Sequence, residues 1–319
     1  MTFFDDNPDK LSSSVPSDVS ASHAPLAPSA PASLEEPPGD PFSYGAQHPQ
    51  PYYFAPPDSG DLQIPWSWGH FICTVIFGVI SLLLVQSGFA VYYIAAKKIP
   101  ARLSKDQFER FVLSHPVFAI GSMVVWYAVL LLYLSGTFKA LYSRRLWPAL
   151  RWRKLDPYNK KAPTRAWQYF LFGLVLSFLV IIATAKSKTP EHAPIQEIMK
   201  NPQMAFAFMG MAVLIAPFIE ETIFRGYLYP LFAKSFGVWT SIILTGTLFG
   251  IMHGSQLGWA WPNVVALTCV GIILTFVRSR AETVLASYLM HLGYNSTLAI
   301  IFTIAFILSK YTKLPVPHS

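Results

Sequence analysis

The chain has 319 residues, of which 53% are hydrophobic and only 13% are charged, and its mean hydropathy is +0.39. Soluble proteins carry roughly 25% charged residues, so this composition excludes soluble α/β and all-β enzymes, disulfide scaffolds and collagen-like chains. The formal net charge of +7 does not predict nucleic-acid binding, because the bases lie between apolar segments and not on one polar face.

Residues 1–65 form an acidic, proline-rich segment that differs in composition from the rest of the chain. They contain 13 of the 26 prolines and nine of the 17 acidic residues, with Lys10 as their single base. Because the segment has too few apolar residues to offset the entropy lost on folding, we expect a disordered tail. The pair Glu35-Glu36 in this tail is expected to be solvated.

From Trp66 onward the chain contains hydrophobic runs long enough to cross a bilayer, since about 20 apolar residues span about 30 Å of hydrocarbon. These runs predict an all-α, polytopic transmembrane bundle of seven spans. An eighth is expected if the last run or residues 219–232 break in two. Pro217 should kink the fourth span, because proline lacks a backbone donor. The predicted spans are 68–95, 116–136, 167–185, 204–229, 236–253, 261–277 and 284–308.

The charge of the connections predicts the orientation of the spans. Residues 137–166 carry nine bases and one acid, Asp156, and the positive-inside rule places them, and hence the N-terminus, in the cytoplasm. Residues 97–115 carry five bases and would then face outward. A helix at 104–114 that lies along the bilayer would remove this conflict.

Two further expectations concern single residues near or inside the spans. Cys73 and Cys269 are isolated in apolar runs, so they cannot form a CxxC metal site and should be small buried side chains. Charged residues at the ends of spans should extend to the polar interface. Those residues are Lys234, Arg278, Arg280 and Glu282.

Ionisable residues inside the later spans are the strongest functional signal. An acid or base at the centre of a span costs about 2.5–3.5 kcal/mol on the insertion scale, so Glu220, Glu221 and Arg225 together would cost about 9 kcal/mol if unpaired. Glu221 and Arg225 are four residues apart on one helical face, so Arg225 should neutralise Glu221. Glu220 is rotated by about 100° and can face an interior cavity. It is the candidate general base, and a buried ion pair that fixes helix register is the alternative interpretation.

His253 ends the next span, and His291 and Asn295 share one face of the last span. At 1.5 Å per residue, Glu220 and Asn295 lie about 18 Å from the cytoplasmic face, and His253 about 22 Å. Similar depths favour a shared site over separate interhelical hydrogen bonds.

Three motifs follow one another on these spans: EExxxR (Glu220, Glu221, Arg225), FxxxH (Phe249, His253) and HxxxN (His291, Asn295). Over residues 204–300 they resemble the CPBP family of CAAX prenyl proteases and bacteriocin-processing proteases. This family is also called the ABI family, and it includes the Rce1-type endopeptidases. The resemblance implies an intramembrane endopeptidase with an eight-helix-type bundle, which cleaves a membrane-associated or lipidated (CAAX-like, prenylated) protein or peptide in the bilayer. The chain then divides into the tail 1–65, N-terminal spans 66–203, a catalytic core 204–309 and a short tail 310–319.

The resemblance also implies roles for the motif residues. Glu220 would activate the hydrolytic water with help from His253, Glu221 and Arg225 would orient the base, and His291 and Asn295 would stabilise the oxyanion. The family is often called a metalloprotease, and Glu220, His253 and His291 are candidate zinc ligands. Because HExxH is absent, a metal-free glutamate mechanism fits the residues equally well.

Two other functions remain open from the sequence. A non-catalytic bacteriocin-immunity or scaffold membrane protein could keep the same residues for structural reasons. A transporter or proton relay also uses intramembrane acids and histidines. That function predicts inverted repeats, which the sequence does not evidently contain.

Overall fold

The structure is a computed structural model that describes residues 63–100, 115–187 and 194–312, together with single positions or pairs at 102, 104, 107–108, 111–112 and 190. The tail 1–62, most of the interfacial helix expected at 104–114, and residues 313–319 lie outside the described residues. Within the described part of the chain every regular element is a helix. The predicted all-α transmembrane bundle is thus confirmed, and the chain is a multi-pass integral membrane protein.

Six helical segments of the described chain are long and apolar enough to cross a membrane, and Val238–Met252 is a shorter apolar helix. They correspond to the seven predicted spans. The last run, Val284–Thr312, does not break in two. In chain order the helices are α1 (Trp68–Ala95), α2 (Pro116–Tyr142), α3 (Leu146–Ala149), α4 (Ala166–Thr184), α5 (Pro194–Lys200), α6 (Pro202–Leu214), α7 (Ala216–Glu221), a π-helix (Thr222–Leu228), α8 (Tyr229–Phe236), α9 (Val238–Met252), α10 (Trp261–Ala281) and α11 (Val284–Thr312).

The fourth span is interrupted twice. Pro217 lies in the first turn of α7, and the helix breaks before it at Ile215, as predicted. The π-helix then follows directly after the carboxylate pair, and the Tyr229 N–H bonds to the carbonyl of Phe224, five residues earlier. π-helical turns are rare and are frequent at functional sites. The sequence did not predict this one.

Glycines allow two pairs of spans to pack with their backbones almost in contact. A Cβ at Gly173 of α4 would overlap the backbone of Met290 on α11, and a Cβ at Gly293 of α11 would overlap α4 in return. Gly246 of α9 meets the backbone of Ile272 on α10 in the same way. Small residues at helix crossings are a general device of membrane bundles. These crossings fix α9 and α11 relative to their neighbours.

The basic connection between α2 and α4 packs on the π-helix. Leu150 lies against Gly226, where a Cβ would be 3.1 Å from the Leu150 Cβ. The Trp152 Nε1 donates a hydrogen bond of 3.1 Å to the Thr222 hydroxyl. The Thr283 hydroxyl, just before α11, donates to the Arg153 carbonyl at 2.6 Å. This loop therefore contacts both the fourth span and the start of the last one.

Two expectations about burial were wrong. Cys73 and Cys269 are exposed, because the outer surface of a transmembrane bundle meets lipid and accepts apolar side chains. Arg278 does not extend to the interface but is fully buried. Its guanidinium lies 5.6 Å from the centre of the Tyr229 ring, a contact between α10 and α8 that charge at a span end does not reveal.

Candidate active site

The predicted ion pair between Glu221 and Arg225 is present and is completely buried. The Arg225 Nη1 donates to the Glu221 Oε1 at 2.8 Å, and neither side chain has exposed surface. Arg225 also donates from Nη2 to the Gly271 carbonyl at 3.0 Å and from Nε to the Thr275 hydroxyl at 3.3 Å. Its Cζ lies 4.5 Å from the centre of the Phe249 ring. Contacts from α9 and α10 thus hold the arginine that neutralises Glu221.

Glu221 in turn orients His291. The His291 Nδ1 lies 2.9 Å from the Glu221 Oε1, and the His291 side chain is 4% exposed. A carboxylate that is paired with arginine only accepts hydrogen bonds, so Nδ1 carries the proton. The other ring nitrogen, Nε2, faces Glu220 and is 3.8 Å from its Oε2.

His253 lies next to the other carboxylate oxygen of Glu220, Oε1. It follows the end of α9, and its Nδ1 donates to the Phe249 carbonyl at 2.7 Å. This bond fixes the tautomer of the neutral ring and leaves Nε2 without a proton. Nε2 is 3.8 Å from the Glu220 Oε1. The Phe249 ring contacts both histidines, with centroid distances of 4.6 Å to His253 and 5.7 Å to His291.

Glu220 is therefore the centre of the arrangement. Its two oxygens each lie 3.8 Å from a histidine Nε2, which is too long for a direct hydrogen bond but short enough for one water to bond to both atoms. Its side chain is 22% exposed, whereas that of Glu221 is 0% exposed. The two adjacent carboxylates thus have different environments: one is locked in an ion pair, and one is accessible.

Asn295 lies one helical turn beyond His291, on the same face of α11. Its Nδ2 donates to the Ala212 carbonyl of α6 at 2.7 Å. One amide proton of Asn295 is thus used to join the last span to the fourth. The second amide proton remains for another acceptor, and the oxyanion role of Asn295 stays a prediction.

A zinc ion does not fit the three candidate ligands in their observed positions. Tetrahedral bonds of about 2.0–2.1 Å place donor atoms about 3.3 Å apart, whereas Glu220 is 3.8 Å from the Nε2 of both His253 and His291. Among the described residues, no group of three or more His, Cys, Asp or Glu side chains has a metal-binding arrangement.

The part of the chain that builds this site is also the part that is similar to known proteins. Residues 202–297 match the family described as type II CAAX prenyl endopeptidase Rce1-like. We call residues 202–297 the Rce1-like domain, after this match. A stretch of 85 residues is 33% identical to the UPF0177 protein YbdI of Lactococcus lactis subsp. lactis (strain IL1403), and it covers 27% of this chain and 43% of that protein. The chain thus spans less than half of this relative's length. No solved structure matches the chain.

The Rce1-like domain has supporting residues that the sequence analysis missed. Thr222 and Tyr227, within the domain, bond to residues outside it. His70, which is only 7% exposed, lies 3.1 Å from the Tyr227 hydroxyl through Nδ1 and 3.1 Å from the Thr137 hydroxyl through Nε2. In the sequence, the signal for these supporting residues is His70 itself, a histidine in an apolar run. Its partners cannot be read from the sequence, because they are 67 and 157 residues away.

Proposed function

We propose that the chain is an intramembrane endopeptidase that hydrolyses a peptide bond of a membrane-associated or lipidated protein or peptide, with Glu220 as the base that activates water. The observation that carries the proposal is the position of Glu220, whose two oxygens each face the Nε2 of a histidine at 3.8 Å. The Rce1-like domain supports it, because that family is one of prenyl endopeptidases.

In the proposed reaction Glu220 accepts a proton from a water held between its carboxylate and a histidine. The resulting hydroxide attacks the peptide carbonyl carbon, the C–N bond breaks, and the proton passes to the leaving amine. His253 suits the assisting role, because the Phe249 carbonyl holds its Nδ1 proton and directs the Nε2 lone pair at Glu220. That nitrogen can accept the water's second hydrogen bond.

Stabilisation of the oxyanion needs donors, and the tautomer of His291 limits which atoms can supply them. Since Nδ1 already donates to Glu221, Nε2 donates only when the ring carries both protons. His291 in its doubly protonated form and the remaining amide proton of Asn295 are the proposed donors. Glu221 and Arg225 are positioning residues, because they hold the His291 ring and do not touch the reacting atoms.

No step of this mechanism passes through a metal, because the three candidate ligands are too far apart for zinc as they stand. A zinc-dependent reaction would need His253 and His291 to move toward Glu220 by several tenths of an ångström. Zinc measured on the purified protein decides between the two mechanisms. Stoichiometric zinc that is lost with His253→Ala would favour the metal-dependent one.

The proposed substrates are peptides or proteins in the bilayer, with prenylated CAAX-like C-termini as the first class to test. The proposed orientation keeps the N-terminus and the basic connection 137–166 in the cytoplasm, in agreement with the positive-inside rule.

The decisive test is cleavage by the full chain purified in detergent. Fluorogenic peptide libraries, including farnesylated C-terminal peptides, would be incubated with the wild type, Glu220→Gln, His291→Ala and the control Asp156→Asn. Asp156 is a surface carboxylate whose Oδ1 caps the Tyr158 N–H in the basic connection. We expect cleavage by the wild type and the control, and loss of at least 100-fold with the other two, the scale of general-base catalysis (about 10²–10⁴-fold).

Loss of cleavage in the control as well would show that the assay reports folding. If Glu220→Gln kept the full biological effect that the wild-type protein has in cells, this would contradict the proposed peptidase activity. It would favour the immunity or scaffold function. Proton or solute flux in vesicles that depends on Glu220, without cleavage, would favour the transporter.

A further inference from the structure

A polar cavity lies at the end of the bundle where α1 begins, and no residue of the candidate active site lines it. Its volume is about 250 Å³. Three arginines line it, Arg144, Arg151 and Arg153, and Trp66 and Pro230 contribute to its walls. No acidic side chain is among the described residues that line this cavity. We call it the arginine cavity.

The arginine cavity is held in shape by the start of the last span. Arg151 has a φ of 60°, in the left-handed region that non-glycine residues rarely adopt. Its carbonyl accepts hydrogen bonds from the Val284 N–H at 3.1 Å and from the Thr283 hydroxyl at 3.2 Å. Strained backbone that is fixed by several bonds is a feature of ligand sites.

Glu282 contacts two of the three guanidinium groups. Its Oε2 lies 3.1 Å from the Arg153 Nη2 and 3.6 Å from the Arg151 Nη1, and its carbonyl accepts from the Arg153 Nε at 3.1 Å. One carboxylate is therefore shared by two arginines, while the third, Arg144, is exposed. Among the described residues, the three arginines thus have one carboxylate, that of Glu282, beside them.

The topology of the bundle places the arginine cavity at a membrane surface. The beginning of α1, the end of α2 and the end of α8 lie on the same face, because successive spans are antiparallel. Trp68 and Trp147 are 38% and 39% exposed beside it, and exposed tryptophans are typical of the level of the lipid headgroups. It is also the face on which the nine bases of residues 137–166 are predicted to meet anionic lipid.

We infer that the arginine cavity binds the phosphate group of an anionic membrane lipid. Guanidinium groups bind phosphate oxygens through two parallel hydrogen bonds. At about 250 Å³ the cavity is below the range of about 300–1,000 Å³ for drug-sized ligands, so it suits a headgroup phosphate and not an acyl chain. This inference does not depend on the proposed peptidase activity.

The test is lipid binding by the full chain in detergent, followed by native mass spectrometry. The probes are short-chain phosphatidylglycerol and phosphatidylcholine with the same acyl chains, and inorganic phosphate is the competitor. The variants are Arg144→Gln and the double variant Arg144→Gln/Arg153→Gln. The matched control is Arg145→Gln, because Arg145 is the exposed neighbour that does not line the cavity.

We expect phosphatidylglycerol to bind in preference to phosphatidylcholine. A hydrogen bond between an arginine and a phosphate contributes at least about tenfold in affinity, so Arg144→Gln should weaken binding about tenfold and the double variant about 100-fold. Arg145→Gln should change it less than twofold. Unchanged unfolding temperatures would show that the variants are folded.

Equal losses for Arg144→Gln and Arg145→Gln would overturn the inference, because they would mean diffuse surface charge and not a site. Equal binding of the two lipids would overturn it as well. Displacement of the lipid by millimolar inorganic phosphate would assign the cavity to free phosphate, whereas resistance to displacement supports the lipid.

Discussion

The two adjacent glutamates should respond differently to the same isosteric substitution. Glu221→Gln removes the charge opposite Arg225 where neither side chain has exposed surface. Removal of one partner of a buried pair costs about 3–5 kcal/mol, because the other charge is left uncompensated. Glu220→Gln breaks no contact shorter than 3.8 Å to either histidine. Its free energy of unfolding should therefore change by about 0.5 kcal/mol or less.

Thermal unfolding in detergent, followed by the fluorescence of the nine tryptophans, measures this difference. At about 2–4 °C for each kcal/mol in a domain of this size, Glu221→Gln should lower the unfolding temperature by about 6–20 °C. Glu220→Gln should lower it by at most about 2 °C. In the peptide assay the order reverses, because Glu220→Gln removes the proposed base, whereas Glu221→Gln leaves it in place.

A second substitution separates loss of the ion pair from loss of packing. Adding Arg225→Met to Glu221→Gln removes the uncompensated charge, so the double variant should be more stable than Glu221→Gln alone. Wild-type stability of Glu221→Gln would refute the reasoning, since Arg225 would then not depend on Glu221. Equal destabilisation by Glu220→Gln and Glu221→Gln would refute the division of roles between the two carboxylates.

Three further substitutions test the packing around the site. Gly246→Ala should destabilise the bundle by about 1–3 kcal/mol, because its Cβ would overlap the backbone of α10. At the control position, Gly136, a Cβ would have open space, so Gly136→Ala should not lower the unfolding temperature. Trp259→Ala should lower the rate of peptide cleavage, since the indole packs on the glycine that follows the assisting histidine. The control Trp167→Ala, at a side chain of another span that is 56% exposed, should not. His70→Phe should lower the unfolding temperature, because it leaves the buried Tyr227 hydroxyl and the half-buried Thr137 hydroxyl without their ring-nitrogen partner. An unchanged temperature would mean that this network contributes no stability.

The sequence predicts the spans well because their ends are set by hydrophobic length. The first span, predicted at 68–95, is observed as Trp68–Ala95. The fourth is predicted to end at 229 but continues to Phe236. Apolar content does not reveal whether a helix stays α-helical, so the π-helix at Thr222–Leu228 could not be predicted.

The composition of the site was predictable, but its geometry was only partly so. The spacing of Glu221 and Arg225 predicts their ion pair, which is local. The depth estimates put Glu220 and Asn295 at about 18 Å and His253 about 4 Å further along, whereas in the structure His253 lies as close to Glu220 as His291 does, at 3.8 Å. That estimate assumed regular antiparallel helices, and the fourth span breaks at Ile215 and again at the π-helix. Hydrogen bonds such as that from His291 to Glu221 join residues that are far apart in the chain. The spacing of residues within one helix carries no information about such bonds.

The π-helix explains why the spans outside residues 202–297 matter to the candidate site. Backbone and hydroxyl groups in an apolar environment need partners, because no water is available to replace them. The carbonyl of Tyr227 accepts from the Trp66 Nε1 at 3.1 Å, and its hydroxyl bonds to His70. Thr222, next to the carboxylate pair, accepts from Trp152. All three partners precede the Rce1-like domain in the chain. Residues 202–297 alone would lack them, so the first two spans and the basic connection are part of the structure that positions Glu220.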